Sequence, residues 1–145
     1  MIKLIKYNES HFDKLLEIHE ECFGDEAMSS GMFREELGLN CRIYFVALNN
    51  NEPVGYAGAW NTSDEYDIIS AAVKPEFRRQ GIARKLIERL IKDAREKNIF
   101  SVSLEVSEKN TAAINLYRDL GFIVTNVREN YYKNKVAAYI MWLHL

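Results

Sequence analysis

The amino-acid sequence predicts an α/β fold with a mixed central sheet of about seven strands flanked by about four helices. Three strand-like runs between residues 42 and 73 are separated only by short turns, which is typical of an antiparallel meander. After residue 74, helices and strands alternate through long connections, which indicates parallel pairing in the middle of the sheet. Because the 145 residues contain no repeat and no Pro/Gly-rich linker, we expect one domain spanning residues 1–145.

The N-terminal region is predicted to hold one strand and two helices. Residues 2–7 alternate apolar and polar side chains in the two-residue period of a strand. A helix is predicted over residues 10–23, where apolar side chains recur at helical spacing before Gly24, a residue typical of helix ends. A shorter helix is predicted over residues 30–39.

The middle and C-terminal regions supply the remaining elements. The three strands of the meander are predicted at residues 42–48, 53–60 and 66–73. Pro75 ends this series because proline cannot donate a hydrogen bond to a strand ladder. The long helix over residues 81–98 places Ile82, Leu86 and Leu90 on one apolar face. The later elements are a helix at residues 111–120 and strands at residues 100–106, 122–127 and 136–143.

Composition and charge narrow the function classes. The formal net charge of −2 argues against a nucleic-acid partner held by bulk attraction to phosphate. No apolar stretch approaches the ~20 residues that cross a bilayer, and the N-terminus lacks a signal-peptide core, so no membrane partner is expected. Cys22 and Cys41 lie far apart without metal-ligand spacing, which indicates reduced thiols and a cytoplasmic protein. The scattered His11, His19 and His144 predict neither a metal site nor a His-based triad.

The most informative segment is Arg78-Arg79-Gln80-Gly81-Ile82-Ala83, between a predicted strand and the long helix. The unpaired N–H groups and the partial positive charge at a helix N-terminus suit a phosphate. Gly81 allows the backbone to approach an anion without a Cβ atom in the way, and two arginines add positive charge. Taken alone, these residues favour a plainer interpretation, a glycine-started helix with a solvated basic edge.

In its wider context, Val73-x-Pro75-x-x-Arg78-Arg79-Gln80-Gly81-Ile82-Ala83 resembles the coenzyme A pyrophosphate loop of the GCN5-related N-acetyltransferase (GNAT) family. The element order is similar to that family's along nearly the whole chain. The resemblance implies the GNAT fold, acetyl-CoA as co-substrate and no metal. It further implies that backbone N–H groups of residues 80–83 hold the pyrophosphate, and that the strand end at residues 71–73 lines the thioester and pantetheine arm.

A narrower resemblance covers the C-terminal half. Leu104-Glu105-Val106, Asn110-Thr111-Ala112-Ala113, Leu116-Tyr117, Gly121-Phe122 and Arg128-Glu129-Asn130-Tyr131-Tyr132 are similar to the ribosomal-protein-alanine N-acetyltransferase branch. By that resemblance Glu105 is the general base, Tyr117 is the general acid, and Tyr131 and Tyr132 contact the acceptor. The implied cofactor-binding residues are Ala71, Ala72, Val73, Arg78, Arg79, Gln80, Gly81, Ile82, Ala83, Arg84 and Asn110.

The residues alone leave these roles open. Glu105 shares a strand face with Ser101 and Ser103, so it could equally belong to a solvated face or to a cleft. The helical spacing of Tyr117 favours a core aromatic, and Asn110 fits a helix N-cap equally well. Tyr131 and Tyr132 could be ordinary cross-strand aromatics.

Three positions depart from the pattern of the branch. Ser107 stands where the branch usually has an arginine, and Val136 and Ala137 replace an acidic pair before the last strand. The hairpin between Tyr132 and Val136 also looks short. Because that hairpin walls the acceptor site in the branch, the departures bear on the acceptor rather than on acetyl-CoA.

We expect direct transfer in a ternary complex. Glu105 removes a proton from the acceptor amine, and Tyr117 protonates the departing thiolate. Backbone N–H groups at the end of the strand over residues 66–73 stabilise the oxyanion. Neither cysteine suggests an acyl-enzyme nucleophile.

The preferred acceptor is the α-amino group of a protein or peptide N-terminus. An α-amine with a pKa of ~7.8 is about 14% neutral at pH 7, whereas lysine at ~10.4 is roughly 0.04% neutral. The alternatives are a small amine, namely a polyamine, amino sugar or amino acid, and a coenzyme A sensor without turnover. The sequence leaves open whether the protein is a monomer or a homodimer.

Overall fold

The structure is a computed structural model that describes residues 1–131 and 135–145. Seven strands in this part of the chain form one sheet of order β1-β2-β3-β4-β5-β7-β6. The strands are β1 (Ile2–Lys6), β2 (Arg42–Asn49), β3 (Glu52–Asn61), β4 (Glu65–Val73), β5 (Ser101–Ser107), β6 (Ile123–Arg128) and β7 (Ala138–His144). The α-helices are α1 (Phe12–Phe23), α2 (Ser30–Gly38), α3 (Ile82–Glu96) and α4 (Thr111–Asp119). The predicted α/β class and mixed sheet are therefore confirmed.

The sheet joins two differently built halves. Strands β1 to β4 pair in sequence order as an antiparallel meander. On the other side, β7 inserts between β5 and β6 and is antiparallel to both. The two halves meet where β4 pairs with β5 in parallel, and this pairing covers only residues 65–68 against residues 101–104.

Beyond Ile68 and Leu104 the two central strands part. The register between β3 and β4 shifts at this point, since Gly58 faces Ser70 whereas Ala59 faces Ile68. Ile69 is therefore the extra residue of a β-bulge, which bends its strand. Among the described residues, the β5-facing edge of residues 69–73 has no paired strand. A gap thus opens in the middle of the sheet.

Helices cover the two faces of the sheet and bury separate apolar clusters. The apolar face of α3 is fully buried against the sheet, with Leu86, Ile87 and Leu90 at 0% exposure. Burial of each such side chain stabilises the fold by about 1.5–3 kcal/mol. On the opposite face, α1 and α2 bury a second cluster that includes Leu15 and Phe33. The gap between β4 and β5 lies beside both layers.

Phe100 departs from the prediction. The sequence pattern placed it in the strand, on the apolar face with Val102, but β5 begins at Ser101 and Phe100 is 74% exposed. Ser101 is the first residue paired on both sides, with Glu65 and His144. The Phe100 N–H group still donates to the Asp64 carbonyl oxygen at 3.3 Å, and its carbonyl oxygen accepts from the Leu145 N–H group at 2.9 Å. Phe100 is therefore tied to the end of the sheet by its backbone, while its side chain lies beyond the covered core.

Within the described part of the chain, none of the helices combines the length and the apolar character that a membrane span requires.

Candidate active site

Two clefts open at the gap between β4 and β5. The first, of about 870 Å³, is lined by Glu105 and is called the Glu105 cleft. The second, of about 640 Å³, is lined by Gly81 and is called the Gly81 cleft. Both clefts share the lining residues Phe23, Ala71, Asn110, Ala113 and Tyr117. They therefore adjoin, and a long ligand can reach from one into the other.

The Gly81 cleft gathers nearly all of the predicted cofactor-binding residues. Its lining includes Ala71, Ala72, Val73, Arg78, Arg79, Gly81, Ile82, Ala83, Arg84 and Asn110. Gln80 is exposed and does not line the cleft. Three arginines on one cleft wall give this part of the surface a positive charge, although the formal net charge of the chain is −2.

The first turn of α3 is built to receive an anion. Gly81 is the N-cap and has the left-handed backbone conformation (φ 79°) that favours glycine. No side chain caps this helix end, and the first helical bond runs from the Lys85 N–H group to the Gly81 carbonyl group. The N–H groups of residues 82–84 are therefore left for a ligand. A Cβ atom added at Gly81 would have no atom within 4 Å, so the space beside this helix end is open.

Arg78 and Arg79 shape the loop before this helix. The Arg78 Nε atom donates to the Val73 carbonyl oxygen at 3.0 Å, and its Nη2 atom lies 3.4 Å from Cys22 Sγ. These contacts tie the loop to the end of β4 and to α1. Arg79 has φ 62°, which costs a non-glycine residue about 1–2 kcal/mol. Strained residues of this kind are concentrated at ligand-binding sites.

Glu105 lies on β5 directly beyond the last β4–β5 pair. Its side chain is 36% exposed, and its Oε1 atom lies 3.0 Å from Arg128 Nη1. Arg128 belongs to β6, so its side chain crosses β7 to reach the carboxylate. The sequence places Arg128 inside a recognisable motif, but only the strand order brings it to Glu105. The carboxylate is therefore oriented by a cation and remains open to the cleft.

Tyr117 lies on α4 where the two clefts meet. Its ring packs against Phe122 with a centroid distance of 5.7 Å, and its residue borders the main apolar core. Burial raises the pKa of the Tyr117 hydroxyl group, so this group is protonated at neutral pH. The ring of Tyr117 is packed like a core aromatic, and the residue also lines both clefts, so its packing does not exclude the predicted role as general acid.

Asn110 is the predicted N-cap, and its position leaves the predicted contact with coenzyme A open. Its Oδ1 atom accepts a hydrogen bond from the Ala113 N–H group at 3.2 Å, which makes it the N-cap of α4. It also lines both clefts, because α4 starts at their junction. Because this cap fixes where α4 begins, it also fixes the position of Tyr117 on the helix relative to the two clefts.

Two of the three departing positions lie on the wall of the Glu105 cleft. Ser107, Val136 and Tyr131 line it, while Ala137 is 1% exposed and lies in the core. Tyr131 is 48% exposed, and the Arg128 guanidinium lies 5.5 Å from its ring centroid. Tyr132 lies outside the described residues.

His19 is a cleft residue that the sequence reasoning did not identify. It is 4% exposed, lines the Glu105 cleft from α1, and stacks on Phe33 with a centroid distance of 4.3 Å. Burial lowers the pKa of His19, and the charge of Glu20 opposes this only in part. Its helical spacing with Phe12 and Leu15 was the available signal, because it places His19 on the buried face of α1.

Asp67 and Ser103 form a second polar pair beside Glu105. They are directly paired across β4 and β5, and the Ser103 hydroxyl group donates to Asp67 Oδ1 at 3.4 Å. Burial raises the pKa of Asp67, the hydrogen bond from Ser103 opposes the shift, and the charge of Glu105 adds to it. Residues 1–131 and 135–145 contain no group of three or more His, Cys, Asp or Glu side chains arranged to hold a metal ion.

Comparison with known proteins identifies relatives of this fold and sequence. The model of the acetyltransferase (GNAT) family matches residues 10–122. A Bacillus subtilis protein with the provisional name ribosomal protein bS18-alanine N-acetyltransferase is 31% identical over 132 residues, which cover 90% of this chain and 87% of that protein.

Two solved structures superimpose along nearly the whole chain. The ribosomal-protein-S18-alanine N-acetyltransferase of Escherichia coli matches with a TM-score of 0.91 and 27% identity, covering 99% of this chain and 94% of that chain. A chain of the NatC complex bound to Gag peptide and CoA matches with a TM-score of 0.85 and 25% identity, covering 99% and 98% of the two chains.

Proposed function

The chain belongs to the acetyltransferase (GNAT) family, and from that premise we propose that it transfers the acetyl group of acetyl-CoA to the α-amino group of a protein N-terminus. The observation that carries the proposal is the meeting of two clefts at Tyr117. One cleft offers an anion cradle, and the other offers a carboxylate. The names of the relatives from Bacillus subtilis and Escherichia coli support the same activity.

The Gly81 cleft is proposed to bind acetyl-CoA, which supplies the acetyl group as a thioester. The N–H groups at the start of α3 and the three arginines suit the pyrophosphate. The unpaired edge of residues 69–73 offers backbone hydrogen-bonding groups to an extended arm. Cofactor binding therefore rests mostly on the backbone, which explains why the side chain of Gln80 can point away.

Glu105 is proposed as the general base. It lines the same cleft as Ala71, on the strand that parts from β4, so its carboxylate is open to an amine bound in that cleft. An α-ammonium group must lose a proton before it can attack the thioester carbonyl carbon. The carboxylate accepts that proton directly or through one water molecule.

Tyr117 is proposed as the general acid. It lines both clefts, so it borders the place where the acetyl group passes from one ligand to the other. Because burial keeps its hydroxyl group protonated, it can donate to the coenzyme A thiolate as that group departs. The proton removed at Glu105 and the proton delivered at Tyr117 balance over the reaction.

The acceptor is proposed to be an α-amine rather than a lysine side chain. At pH 7 an α-amine with a pKa of ~7.8 is about 14% neutral, roughly 350 times the neutral fraction of lysine. One carboxylate at the surface of an open cleft can therefore serve the α-amine far more easily. The free thiols Cys22 and Cys41 favour a cytoplasmic location for this reaction.

Thiol release from acetyl-CoA tests the acceptor. We expect turnover with peptides that carry a free N-terminus, including the first residues of ribosomal proteins. The same peptides with a blocked N-terminus and free lysines should react poorly. Ser107 and Val136 line the acceptor side and depart from the branch pattern, so spermidine and an aminoglycoside belong in the panel. If either exceeds every peptide in kcat/KM, the enzyme is a small-amine acetyltransferase.

A further inference from the structure

We propose that His19 is a positioning residue that holds the α1–α2 segment as the near wall of the acceptor cleft, an inference that rests on the proposed function. His19 takes no part in the proton transfers described above. It nevertheless lines the Glu105 cleft while being almost fully buried. Its two ring nitrogens connect the sheet to the segment that follows α1.

The hydrogen bonds of His19 define one arrangement of its ring. The Met28 N–H group donates to Nε2 at 2.9 Å, so Nε2 carries no proton. In the neutral ring the proton is then on Nδ1, which donates to the Tyr56 hydroxyl oxygen at 2.9 Å. Tyr56 is 0% exposed on β3, so one end of this bridge is fixed in the core.

The other end of the bridge carries the cleft wall. Glu26 and Met28 line the Glu105 cleft but not the Gly81 cleft, and they lie in the segment between α1 and α2. That segment contains only a three-residue 3-10 helix over Gly24–Glu26, so few bonds of its own hold it in place. The bond from the Met28 N–H group to His19 is therefore a tether between this wall and the sheet.

A purely structural histidine and a positioning histidine differ in what they control. If His19 only fills the core, its replacement lowers stability and leaves the Michaelis constant for the acceptor unchanged. If it tethers the wall, loss of the Met28 bond raises the peptide KM, while the KM for acetyl-CoA stays near its original value. Acetyl-CoA is bound by the other cleft, whose lining does not include His19.

Two substitutions separate the two bonds of the ring. His19→Gln places an amide at the position of Nε2, so it can keep the Met28 bond and lose the Tyr56 bond. His19→Asn places the amide at the position of Nδ1, so it does the reverse. We expect the Asn variant to raise the peptide KM about tenfold, the value of one buried hydrogen bond. The Gln variant should stay within about threefold of wild type.

A matched control lies on the opposite face of the sheet. Tyr66→Phe removes a buried hydrogen bond of 2.6 Å to Asp93 under α3, away from either cleft lining. It should lower the melting temperature without changing the peptide KM. If the Asn variant does not fold, Met28→Pro removes the donor instead, and the extended Ala27 tolerates a following proline. Because Met28 itself lines the cleft, Met28→Ala, which keeps the N–H group, is the control for loss of that side chain.

Amide hydrogen exchange at Met28 tests the tether without an acceptor. We expect a protected Met28 amide in wild type and in the Gln variant, and faster exchange in the Asn variant. A wild-type peptide KM in the Asn variant, or equal Met28 exchange in both variants, overturns the inference. If wild type acetylates no peptide, the proposed function fails, and the exchange result alone decides whether His19 holds the segment.

Discussion

The Gly81 cleft and the Glu105 cleft are built in different ways. The first is made largely from one continuous stretch, residues 71–84, which offers the backbone N–H groups at the start of α3 together with three arginine side chains. The second is assembled from side chains of α1, the α1–α2 segment, β4, β5, α4 and the residues after β6. A backbone site tolerates change in most of its side chains, whereas an assembled site depends on each contributing residue. The two clefts should therefore respond differently to substitution.

The largest effect on activity is expected at Glu105, in the cleft that several elements assemble. Glu105→Gln keeps the shape of the side chain and removes the base, so kcat should fall by about 10²–10⁴-fold. Steady-state kinetics with a peptide acceptor measures this, and calorimetry should find acetyl-CoA affinity unchanged. Glu108→Gln, at an exposed position outside both linings, is the matched control and should keep full kcat. Near-normal turnover in Glu105→Gln would assign the base to another group.

The next largest effect is expected at Gly81, in the Gly81 cleft, and it concerns the binding of acetyl-CoA. Gly81→Val places a branched side chain where the ligand is proposed to lie, so two or three hydrogen bonds are lost. The dissociation constant for acetyl-CoA should rise about 10²-fold.

Calorimetric titration measures this loss, and backbone strain is separated from it by a second glycine. Gly24 also has a positive φ, of 53°, with open space at its Cβ position, but it does not line the Gly81 cleft. Gly24 has ψ −124°, whereas Gly81 has ψ 13°, so valine is more strained at Gly24 than in the left-handed helical conformation of Gly81. Gly24→Val should therefore cost at least as much stability and leave acetyl-CoA affinity intact. Unchanged affinity in a folded Gly81→Val protein would remove the loop from the binding site.

A smaller loss of activity is expected at Tyr117, where the two clefts meet. Tyr117→Phe keeps the ring against Phe122 and removes the hydroxyl group, so kcat should fall by about tenfold or more. The loss is limited because a thiolate with a parent pKa of ~8.5 already leaves readily. Tyr139→Phe, at a partly buried position that packs against the core outside both linings, is the control for loss of a hydroxyl group. A stable Tyr117→Phe protein with wild-type kcat would return Tyr117 to a packing role.

The smallest effect is expected at Arg128. Arg128→Met removes the cation that orients Glu105, but the pair is 51% and 36% exposed. An ion pair of this exposure contributes about 0.2–1 kcal/mol, so kcat should fall by at most about fivefold. The difference should narrow in high salt, since screening weakens the pair in wild type. A loss as large as that of Glu105→Gln would instead place Arg128 in direct contact with the acceptor.

The same contrast explains what the sequence could predict. Strand and helix identities follow from local periodicity, so they could be predicted without tertiary information. The Gly81 loop is one contiguous motif, but its residues alone favoured a solvated helix start, and the resemblance assigned it to acetyl-CoA. Glu105 and Tyr117 were assigned through resemblance, because spacing alone left each between a core and a cleft interpretation. Arg128 reaches Glu105 only because β7 lies between β5 and β6, an order that no local pattern specifies. Phe100 was misplaced because hydrophobicity does not reveal where a ladder begins.

The short parallel junction between β4 and β5 has a consequence for the stability of the protein. Four residue pairs join the strands of the N-terminal meander to those of the C-terminal half. Acetyl-CoA would span this seam, with residues 71–84 on one side and Asn110 and Tyr117 on the other. Occupancy at 100 times the dissociation constant adds about 2.7 kcal/mol to stability. In the cell, bound acetyl-CoA would thus hold the two parts of the sheet together. A fall in its concentration would lower the stability of the enzyme at the β4–β5 junction, beside the active site.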